Sequence, residues 1–476
     1  MNFYTEALRI GGHRISKDRV IQVLNPYTDE VVGTVPKADV SDVRHAFELA
    51  KAYRPRLSRY ERSNILMKAA EIVMSQSERI SDLITLESGL CKKDSLYEAG
   101  RVRDVLIFGA HAVLQDDGQI FSCDITPHGR QRRVYTQRDP LLGVISAITP
   151  FNHPMNQVAH KVVPSIATNN RIVLKPSEKV PLSALLFADI LYEAGLPSEM
   201  FQVITGDPLE IADELLTNSN IDLVTFTGGV AIGKHIAKTV GYRRIVLELG
   251  GNDPIIVMED ADLEEAATLA VLGSYKNSGQ RCTAIKRMFV QSSVADEFVQ
   301  RVLDKTHQWH FGNPSDPKND MGTVIDKEAA TLFETRVNEA VVQGAKLLVG
   351  NQRQGAMYSP TVLDHVTTDM TLVREETFGP VSPIVRFNDI EDVIQMVNST
   401  VYGLSSSVCS NRLDIITKLV NELNVGSVNV REVPGYRLEL TPFGGIKDSG
   451  LGYKEGVLEA MKSFTNVKTY SLPWPA

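Results

Sequence analysis

The chain has 476 residues, of which 43% are hydrophobic and 23% charged, and its formal net charge is −8 at pH 7. This length suggests two or three domains, and the composition is typical of a soluble globular protein. The negative charge argues against nucleic acid or an anionic membrane as a partner, so an anionic ligand would need a local cluster of cations.

Four cysteines stand far apart in the chain, at positions 91, 123, 282 and 409, without a Cys-x-x-Cys pair. With no histidine cluster at ligand spacing, they predict reduced thiols and no bound metal. The N-terminus, MNFYTEALRIGGHRIS, lacks a signal-peptide pattern, and no later run of 18 apolar residues occurs. We therefore expect a cytoplasmic protein.

Helices are predicted in the first 140 residues. The segment LSRYERSNILMKAAEIVMSQSERISDLITLESGL has apolar residues at helical spacing, and Gly89 suits the helix end. A second helical stretch follows around DSLYEAGRVRDVLIFGAHAVL. Helices that pack on a sheet have this pattern.

From Pro140 onward, short apolar runs alternate with helix-length segments. The runs are GVISAITP, RIVLKPSE, FQVITG, DLVTFTGG and RIVLELGG. This alternation predicts a parallel sheet covered on both faces, with ligands bound at the carboxyl ends of the strands. A second series begins at DPIIVMED and continues through RMFVQ, GAKLLVG and GSVNV, which predicts a separate α/β domain.

We divide the chain into a first α/β domain (1–118 and 140–249), a second (250–447), and outer strands (119–139 and 460–476). The outer segments alternate or are extended. Peripheral strands of this kind often pair subunits, so we expect a homodimer or homotetramer.

Two strand ends carry candidate cofactor contacts. The glycines of TFTGGVAIG, at 228, 229 and 233, would let amides approach a diphosphate at a helix N-terminus, although such turns are often structural. In LKPSE, Lys175 and Glu178 could bind ribose hydroxyls, and the carboxylate would repel a 2′-phosphate. The alternative for this pair is a solvated ion pair.

Two further residues are candidates for chemistry. Glu248 in LELGG lies at an apolar strand end, where a carboxylate could act as a general base. The alternative is that it braces the Gly-Gly turn. Asn152 in TPFNHP is a neutral donor for an oxyanion, or a turn residue.

TPFNHP, KPSE, FTGG, LELGG, SGQRC, EETFGP and PFGGIKDSG occur in one chain in this order. Together they resemble the aldehyde dehydrogenase superfamily over essentially the whole length. The resemblance implies an α/β fold with a Rossmann-type NAD-binding domain first, a second α/β catalytic domain, and a small oligomerisation β-extension.

The resemblance also implies residue roles. Cys282 matches the nucleophile that attacks the aldehyde, and Asn152 with the Cys282 backbone N–H would hold the oxyanion. Hydride then passes to the nicotinamide, and Glu248 activates water against the thioester. Lys175, with Glu178, would bind the adenosine ribose and support the nicotinamide side indirectly.

Further positions match the family's cofactor site, with NAD expected and NADP accepted more weakly. Glu376 and Phe378 would hold the nicotinamide ribose and ring. Gly229 departs from the family, which often has Ser there, and so lacks a hydroxyl donor to the diphosphate. The full set is Thr149, Phe151, Lys175, Ser177, Glu178, Gly206, Phe226, Thr227, Gly228, Gly229, Gly233, Leu249, Glu376 and Phe378.

Arg281 directly precedes Cys282, where many relatives have a small or apolar residue. An arginine there resembles members that handle phosphorylated or phosphonate aldehydes, and a neighbouring cation would favour the thiolate. Guanidinium forks fit tetrahedral anions bidentately. Three more residues match the substrate mouth of those members: Arg101, His153 and Arg437.

Arg101 and Arg103 cannot share one helix face, so only one would point inward, and we expect Arg101. The combination is most similar to members that oxidise phosphonoacetaldehyde to phosphonoacetate. The alternatives are another small anionic aldehyde (glyceraldehyde 3-phosphate, or a sulfonated or carboxylated semialdehyde), a CoA-acylating member, or a non-catalytic crystallin-like protein. Glu248 argues against the acylating class, which lacks this glutamate.

Overall fold

A computed structural model describes residues 3–115, 118–452 and 455–474. The strands up to residue 251 are β1 (Tyr4–Thr5), β2 (Leu8–Ile10), β3 (His13–Ile15), β4 (Val20–Leu24), β5 (Val31–Pro36), β6 (Ile120–Ser122), β7 (Arg132–Pro140), β8 (Val144–Ile148), β9 (Ile172–Lys175), β10 (Phe201–Val203), β11 (Ile221–Thr227) and β12 (Arg244–Glu248). The helices of this part are α1 (Val40–Ala52), α2 (Arg59–Ser75), α3 (Ser77–Ser88), α4 (Lys92–Ala112), α5 (Asn156–Ala167), α6 (Leu182–Glu193), α7 (Pro208–Thr217) and α8 (Val230–Thr239).

The strands of the remaining chain are β13 (Asp253–Val257), β14 (Ile285–Gln291), β15 (Lys346–Val349), β16 (Arg353–Gln354), β17 (Met357–Tyr358), β18 (Thr361–Asp364), β19 (Val381–Phe387), β20 (Ser405–Cys409), β21 (Ser427–Val430) and β22 (Thr465–Pro473). The helices are α9 (Leu263–Tyr275), α10 (Ala295–His307), α11 (Lys327–Val342), α12 (Thr371–Arg374), α13 (Ile390–Asn398), α14 (Leu413–Glu422) and α15 (Val457–Ser463). None of the helices in the described ranges is long and apolar enough to cross a membrane.

The first large sheet has the order β12-β11-β8-β9-β10-β2-β3. Strands β8 to β12 are the five apolar runs of the sequence, and each pairs in parallel with its neighbours in that set. Their apolar side chains enter two buried clusters, as expected for a sheet covered by helices. Their carboxyl ends therefore meet at one edge, which carries Lys175, Thr227 and Glu248.

The second large sheet has the order β15-β18-β19-β14-β13-β20-β21. It is parallel except at the edge strand β15, and two further apolar clusters bury its strands. Strand β14 occupies the centre. Because Cys282 lies three residues before this strand, the central strand fixes the position of the cysteine.

The third sheet, β22-β7-β6, lies outside the two large ones. Strand β22 runs antiparallel to β7, from Thr465 opposite Pro140 to Pro473 opposite Arg132. The predicted extended segment 460–476 is wrong at its start, because residues 460–463 belong to α15. Val457 and Ala460 of that helix are buried, and this burial outweighs the extended pattern of the residues that follow.

The long predicted helix between residues 57 and 90 is two helices. Helix α2 ends at Ser75 and α3 begins at Ser77, with Gln76 in a non-helical conformation between them. Gly89 ends α3 in the left-handed region, at φ 73°, where a glycine carries no Cβ penalty.

Candidate active site

The turn before Cys282 is held in an unusual backbone conformation. Asn277, Ser278 and Gly279 all have positive φ, at 60°, 54° and 70°. The Asn277 side-chain amide donates to the carbonyl oxygen of Asn152 at 2.9 Å, which supports the turn from the loop after β8. A strained turn held this way keeps the cysteine in one orientation.

Asn152 lies beside the same turn. Its Nδ2 donates to the carbonyl oxygen of Gln280 at 2.9 Å, two residues before Cys282, and the side chain is buried. An amide nitrogen carries two hydrogens, so the second remains to stabilise an oxyanion. Glu98 fixes the loop by accepting from the backbone N–H of Met155 at 2.9 Å and of Asn156 at 3.0 Å.

Glu248 is the last residue of β12 and is buried. The glycine turn that follows it packs on the nucleophile, since a Cβ at Gly251 would lie 2.4 Å from the carbonyl oxygen of Cys282. Lys161 of α5 is the nearby cation: burial lowers the pKa of Lys161, and Glu455 and Glu248 oppose that shift. The acid and the thiol therefore belong to one site.

The thiol of Cys282 is not activated in the way the sequence suggested. Burial raises its pKa to about 12; the charges of Asp253 and Glu376 add to this, and Lys286 opposes it most. Arg281 instead donates from Nη2 to the carbonyl oxygen of Gly273 at 2.9 Å. The expectation of a thiolate produced by the adjacent arginine is wrong, because the effect of burial on the pKa of Cys282 outweighs that of the nearby cations.

This raised pKa predicts the pH dependence of alkylation in the cofactor-free protein. Below pH 10 the thiolate fraction should grow about tenfold per pH unit, so the rate of iodoacetamide addition at Cys282 should do the same from pH 7 to 9. Peptide mass spectrometry follows the cysteine, in a Cys123→Ser background that removes the more accessible thiol. A plateau near pH 7 would contradict the raised pKa.

A cavity of about 250 Å³ opens against Cys282. Three guanidinium groups line it, together with the imidazole of His153. Tyrosines and a lysine complete a polar wall, and the cation-rich lining suits an anion. The lining includes Tyr97, Arg101, His153, Lys276, Arg281, Cys282, Tyr436 and Arg437.

Two buried carboxylates hold two of these arginines. Arg101 donates from Nε to Glu439, and Arg437 donates from Nη2 to Glu455 at 3.0 Å. Glu439 also lies 2.6 Å from Nε2 of His160. Although burial opposes it, His160 and Arg101 hold the pKa of Glu439 well below its usual range, so it stays ionised.

The other side chains considered for the mouth of the cavity differ in charge and in the direction in which they point. Burial lowers the pKa of His153, and Glu98 opposes this with its Oε2 3.5 Å from Nδ1, so the imidazole is a neutral donor. The side chain of Arg103 is 42% exposed and 3.8 Å from Asp104, whereas that of Arg101 is 18% exposed. Arg101 is therefore the one that faces the cavity.

The glycine turn after β11 is shaped for a close approach. A Cβ at Gly228 would lie 2.5 Å from the ring of Phe226, and one at Gly233 would lie 2.4 Å from Leu249. A side chain at either position would force its neighbour to shift. Gly229 caps α8 and has open space where a side chain would lie, so a ligand can approach the backbone at this helix N-terminus.

The neighbouring strand ends carry the other predicted cofactor contacts. Lys175 donates from Nζ to Glu178 at 2.9 Å and is buried. The hydroxyl of Thr149 is buried and has no hydrogen-bond partner within the described part of the chain, which fits a missing ligand. Ser177 accepts from the backbone N–H of Lys179 at 3.3 Å.

Four further predicted cofactor contacts have different local roles. A Cβ at Gly206 would meet Ile211 at 2.6 Å, so that glycine also has a packing role. The Thr227 hydroxyl accepts from Nζ of Lys161 at 2.8 Å. Phe151 and Phe378 meet edge to face with centroids 5.9 Å apart. The two rings therefore come together from the two large sheets.

Glu376 lies beside the nucleophile turn and is half-buried, with 16% of its side chain exposed. Its Oε1 accepts from the backbone N–H of Gly251 at 3.0 Å and lies 3.5 Å from Nζ of Lys286. Burial raises its pKa, and Lys286 opposes this. A Cβ at Gly250 would lie 2.2 Å from the carboxylate, so Gly250 leaves room for it.

Lys286 and Lys161 were not predicted from the sequence as residues of the site. Both are nearly fully buried cations, at 2% exposure each. Lys286 could have been noticed, because a lysine and an arginine interrupt the apolar run of IKRMFV, and a buried strand does not hold charges without partners. Lys161 had a similar signal, as the one charge in a strongly apolar helix.

Comparison with known proteins identifies the family. Residues 14–470 match the aldehyde dehydrogenase family. A 3-sulfolactaldehyde dehydrogenase of Priestia aryabhattai is 38% identical, covering 96% of each chain. The structure of an NADP-dependent glyceraldehyde-3-phosphate dehydrogenase from Bacillus halodurans, complexed with NADP, superposes with a TM-score of 0.96 at 34% identity over the full length of both chains. An NAD-dependent aldehyde dehydrogenase of Sinorhizobium meliloti gives a TM-score of 0.94 at 31% identity, covering 99% of this chain and 96% of that one.

The chain belongs to the aldehyde dehydrogenase family. It has the fold expected from the sequence, a Rossmann-like cofactor domain with a catalytic α/β domain, and it is an NAD(P)-dependent aldehyde dehydrogenase.

Proposed function

We propose that the enzyme oxidises phosphonoacetaldehyde to phosphonoacetate with NAD. The observation that carries this is the cavity at Cys282, which three guanidinium groups line together with the thiol. Among the residues described, Arg281 Nε and Arg437 Nη1 are buried donors without a hydrogen-bond partner. Unsatisfied buried donors are costly, and the oxygens of a phosphonate would satisfy them.

The aldehyde end of such a substrate would lie at Cys282. The sulfur attacks the carbonyl carbon, its proton passes to the Glu248 carboxylate and from there to solvent, and the C=O π electrons move to the oxygen as the S–C bond forms. The free hydrogen of Asn152 Nδ2 and the Cys282 backbone N–H stabilise this oxyanion. Bound NAD supplies the acceptor for the hydrogen that leaves the carbon with its electron pair.

Glu248 is the base for the second half of the reaction. It takes a proton from water, the oxygen adds to the thioester carbon, and Cys282 leaves with the S–C electrons. Lys161 stabilises the ionised carboxylate by its charge. Hydrolysis rather than transfer to CoA follows from this acid beside the nucleophile.

The Lys175–Glu178 pair supports NAD over NADP. Burial raises the pKa of Glu178, but the charge and hydrogen bond of Lys175 outweigh this, so the pKa lies below its usual value. The carboxylate is therefore ionised at neutral pH. It would accept from a ribose 2′-hydroxyl and repel a 2′-phosphate.

We expect Glu178→Gln to lower the ratio of kcat/KM with NAD to that with NADP by about tenfold. The change removes a repulsion between the carboxylate and the 2′-phosphate of about 1.4 kcal/mol, which corresponds to that factor. Initial rates with each cofactor at a fixed aldehyde concentration measure this ratio. Glu339→Gln, on the exposed face of α11, is the matched control and should leave it unchanged. An unaltered ratio in Glu178→Gln would remove this residue from cofactor selection.

Oxidation of a sulfonated aldehyde is the second candidate. The 38% identity to a 3-sulfolactaldehyde dehydrogenase favours it. The two candidates differ in tail charge, because a phosphonate approaches two negative charges and a sulfonate carries one. The three lining arginines offer several donors to the tail oxygens, which a phosphonate with its higher charge would accept more strongly than a sulfonate.

NADH formation with three aldehydes tests the proposal. We expect kcat/KM for phosphonoacetaldehyde to exceed that for sulfoacetaldehyde about tenfold and that for propanal about a thousandfold, as each charge-assisted contact contributes about 1.5–3 kcal/mol. The reverse order of the two anions would assign the sulfonated substrate. Equal values for all three would mean that the arginines do not recognise an anion.

Two properties of the enzyme complete the proposal. The four free cysteines support a cytoplasmic location. The edge strands β6 and β22 expose apolar side chains, among them Phe121 and Leu472, and support a homodimer or homotetramer built through this sheet. Light scattering would give the number of subunits.

A further inference from the structure

Lys286 connects three parts of the site. It is the second residue of β14, and its side chain is 1% exposed. Nζ donates to the carbonyl oxygens of Arg281 at 2.7 Å and Cys282 at 2.8 Å, which belong to the peptide bonds before and after the Cα of the nucleophile. A buried ammonium without partners would be costly, so these bonds fix both the lysine and the turn.

The same ammonium faces the predicted ribose carboxylate. Nζ lies 3.5 Å from Oε1 of Glu376 and 5.7 Å from the ring centroid of Phe378. Glu376 also accepts from the backbone N–H of Gly251, whose Cα packs on the Cys282 carbonyl. Lys286 is therefore the charged group shared by the nucleophile turn and the residues that would hold the nicotinamide end.

The contact between Lys286 and Glu376 also affects the balance of charge around the Cys282 thiol. The charged groups with the largest influence on the thiol are Lys286, Asp253, Glu376 and Arg437. Two of these are carboxylates, and Lys286 opposes both. Removing the lysine would leave Arg437 as the one member of these four groups that favours the thiolate.

We propose that Lys286 is a positioning residue that couples the nicotinamide-ribose site to Cys282, by holding the carbonyls of Arg281 and Cys282 while pairing with Glu376. The coupling is reciprocal, because the same cation contributes to the free energy of NAD binding and to the free energy of ionising the Cys282 thiol. The role of Glu376 at the ribose rests on the proposed function, whereas the reactivity of the thiol does not.

The test compares single and double variants. The measured quantities are the iodoacetamide rate at Cys282 without cofactor at pH 8, in the Cys123→Ser background, and the Kd of NAD from a calorimetric titration. We expect Lys286→Met to slow alkylation about tenfold, as one lost charge interaction shifts a thiol by about one pKa unit, and to raise the Kd about tenfold. Lys286→Arg should keep both values within about threefold.

The double variant Lys286→Met/Glu376→Gln decides whether the two residues act together. Coupling predicts that its alkylation rate returns close to that of the parent protein, because the loss of Lys286 has little effect once its partner carboxylate is gone. A rate equal to the product of the two single effects, about 0.3 of the parent rate, would overturn the proposal. Arg171→Met is the control: it removes a buried cation that donates to the carbonyl oxygens of Leu141 at 2.9 Å and Gly143 at 2.8 Å, and it should change melting temperature but not alkylation.

Glu376→Gln alone keeps the test decisive if Lys286→Met does not fold. Removing its negative charge should speed alkylation about threefold over the parent protein, by the same electrostatic argument. An unchanged or slower rate would overturn the coupling. Since alkylation needs no aldehyde or NAD, this arm can fail while the proposed substrate stands, and the reverse also holds.

Discussion

Cys282→Ala should abolish NADH formation, with kcat reduced by at least about four orders of magnitude, while NAD still binds with nearly its original Kd. The methyl group cannot form the covalent intermediate, so the whole contribution of the nucleophile is lost. The cofactor contacts come from other strand ends and are untouched by this change. Stopped-flow absorbance and a calorimetric NAD titration measure the two quantities.

Cys123→Ala provides the control for that variant. This cysteine lies in the loop after β6, away from the site, and its loss should leave kcat within a factor of two. Turnover that survives in Cys282→Ala would refute the assignment of the nucleophile. Loss of NAD binding in that variant would instead indicate a folding defect, which thermal melting would detect.

Arg281→Met should raise KM for phosphonoacetaldehyde about a hundredfold and leave KM for propanal within about threefold. Arg281 is the best choice of the three arginines, because its observed hydrogen bond is to one backbone carbonyl, whereas Arg101 and Arg437 each neutralise a buried carboxylate. A lost charge-assisted contact to a desolvated anion costs about 3 kcal/mol, which corresponds to this factor.

Arg103→Met is the matched control on helix α4. It removes an exposed guanidinium two residues from Arg101 and should change neither KM, because surface charges contribute little. The informative comparison is between the two aldehydes in the Arg281 variant. Equal increases for the charged and the neutral substrate would show that Arg281 supports the turn and does not bind an anion.

Much of the fold followed from local patterns. Strands β8 to β12 were predicted because each is a short apolar run followed by a helical segment, and that alternation leaves few possible topologies. The start of β22 could not be predicted, since α15 has only seven residues and its helical state depends on burial of Val457 and Ala460. The break at Gln76 within the predicted long helix had no glycine or proline to mark it.

Site residues that belong to local motifs could be predicted from the sequence. Properties that depend on burial in the folded protein could not. Arg101 could be preferred over Arg103 because two residues on a helix point in different directions. The protonation of Cys282 could not be predicted, because it depends on desolvation and on Asp253 and Glu376, which come from distant segments. The same holds for Lys286, whose partners are carbonyls that only the folded turn brings together.

The most direct test of the account is the mass of the covalent intermediate. Glu248→Gln, mixed with NAD and phosphonoacetaldehyde and quenched in acid, should accumulate a phosphonoacetyl thioester, because water is no longer activated. Peptide mapping should place the adduct on Cys282, and propanal at the same low concentration should give almost none. An adduct on another residue, or equal labelling by both aldehydes, would contradict the claim that one cavity joins Cys282 to an anion-binding group of arginines.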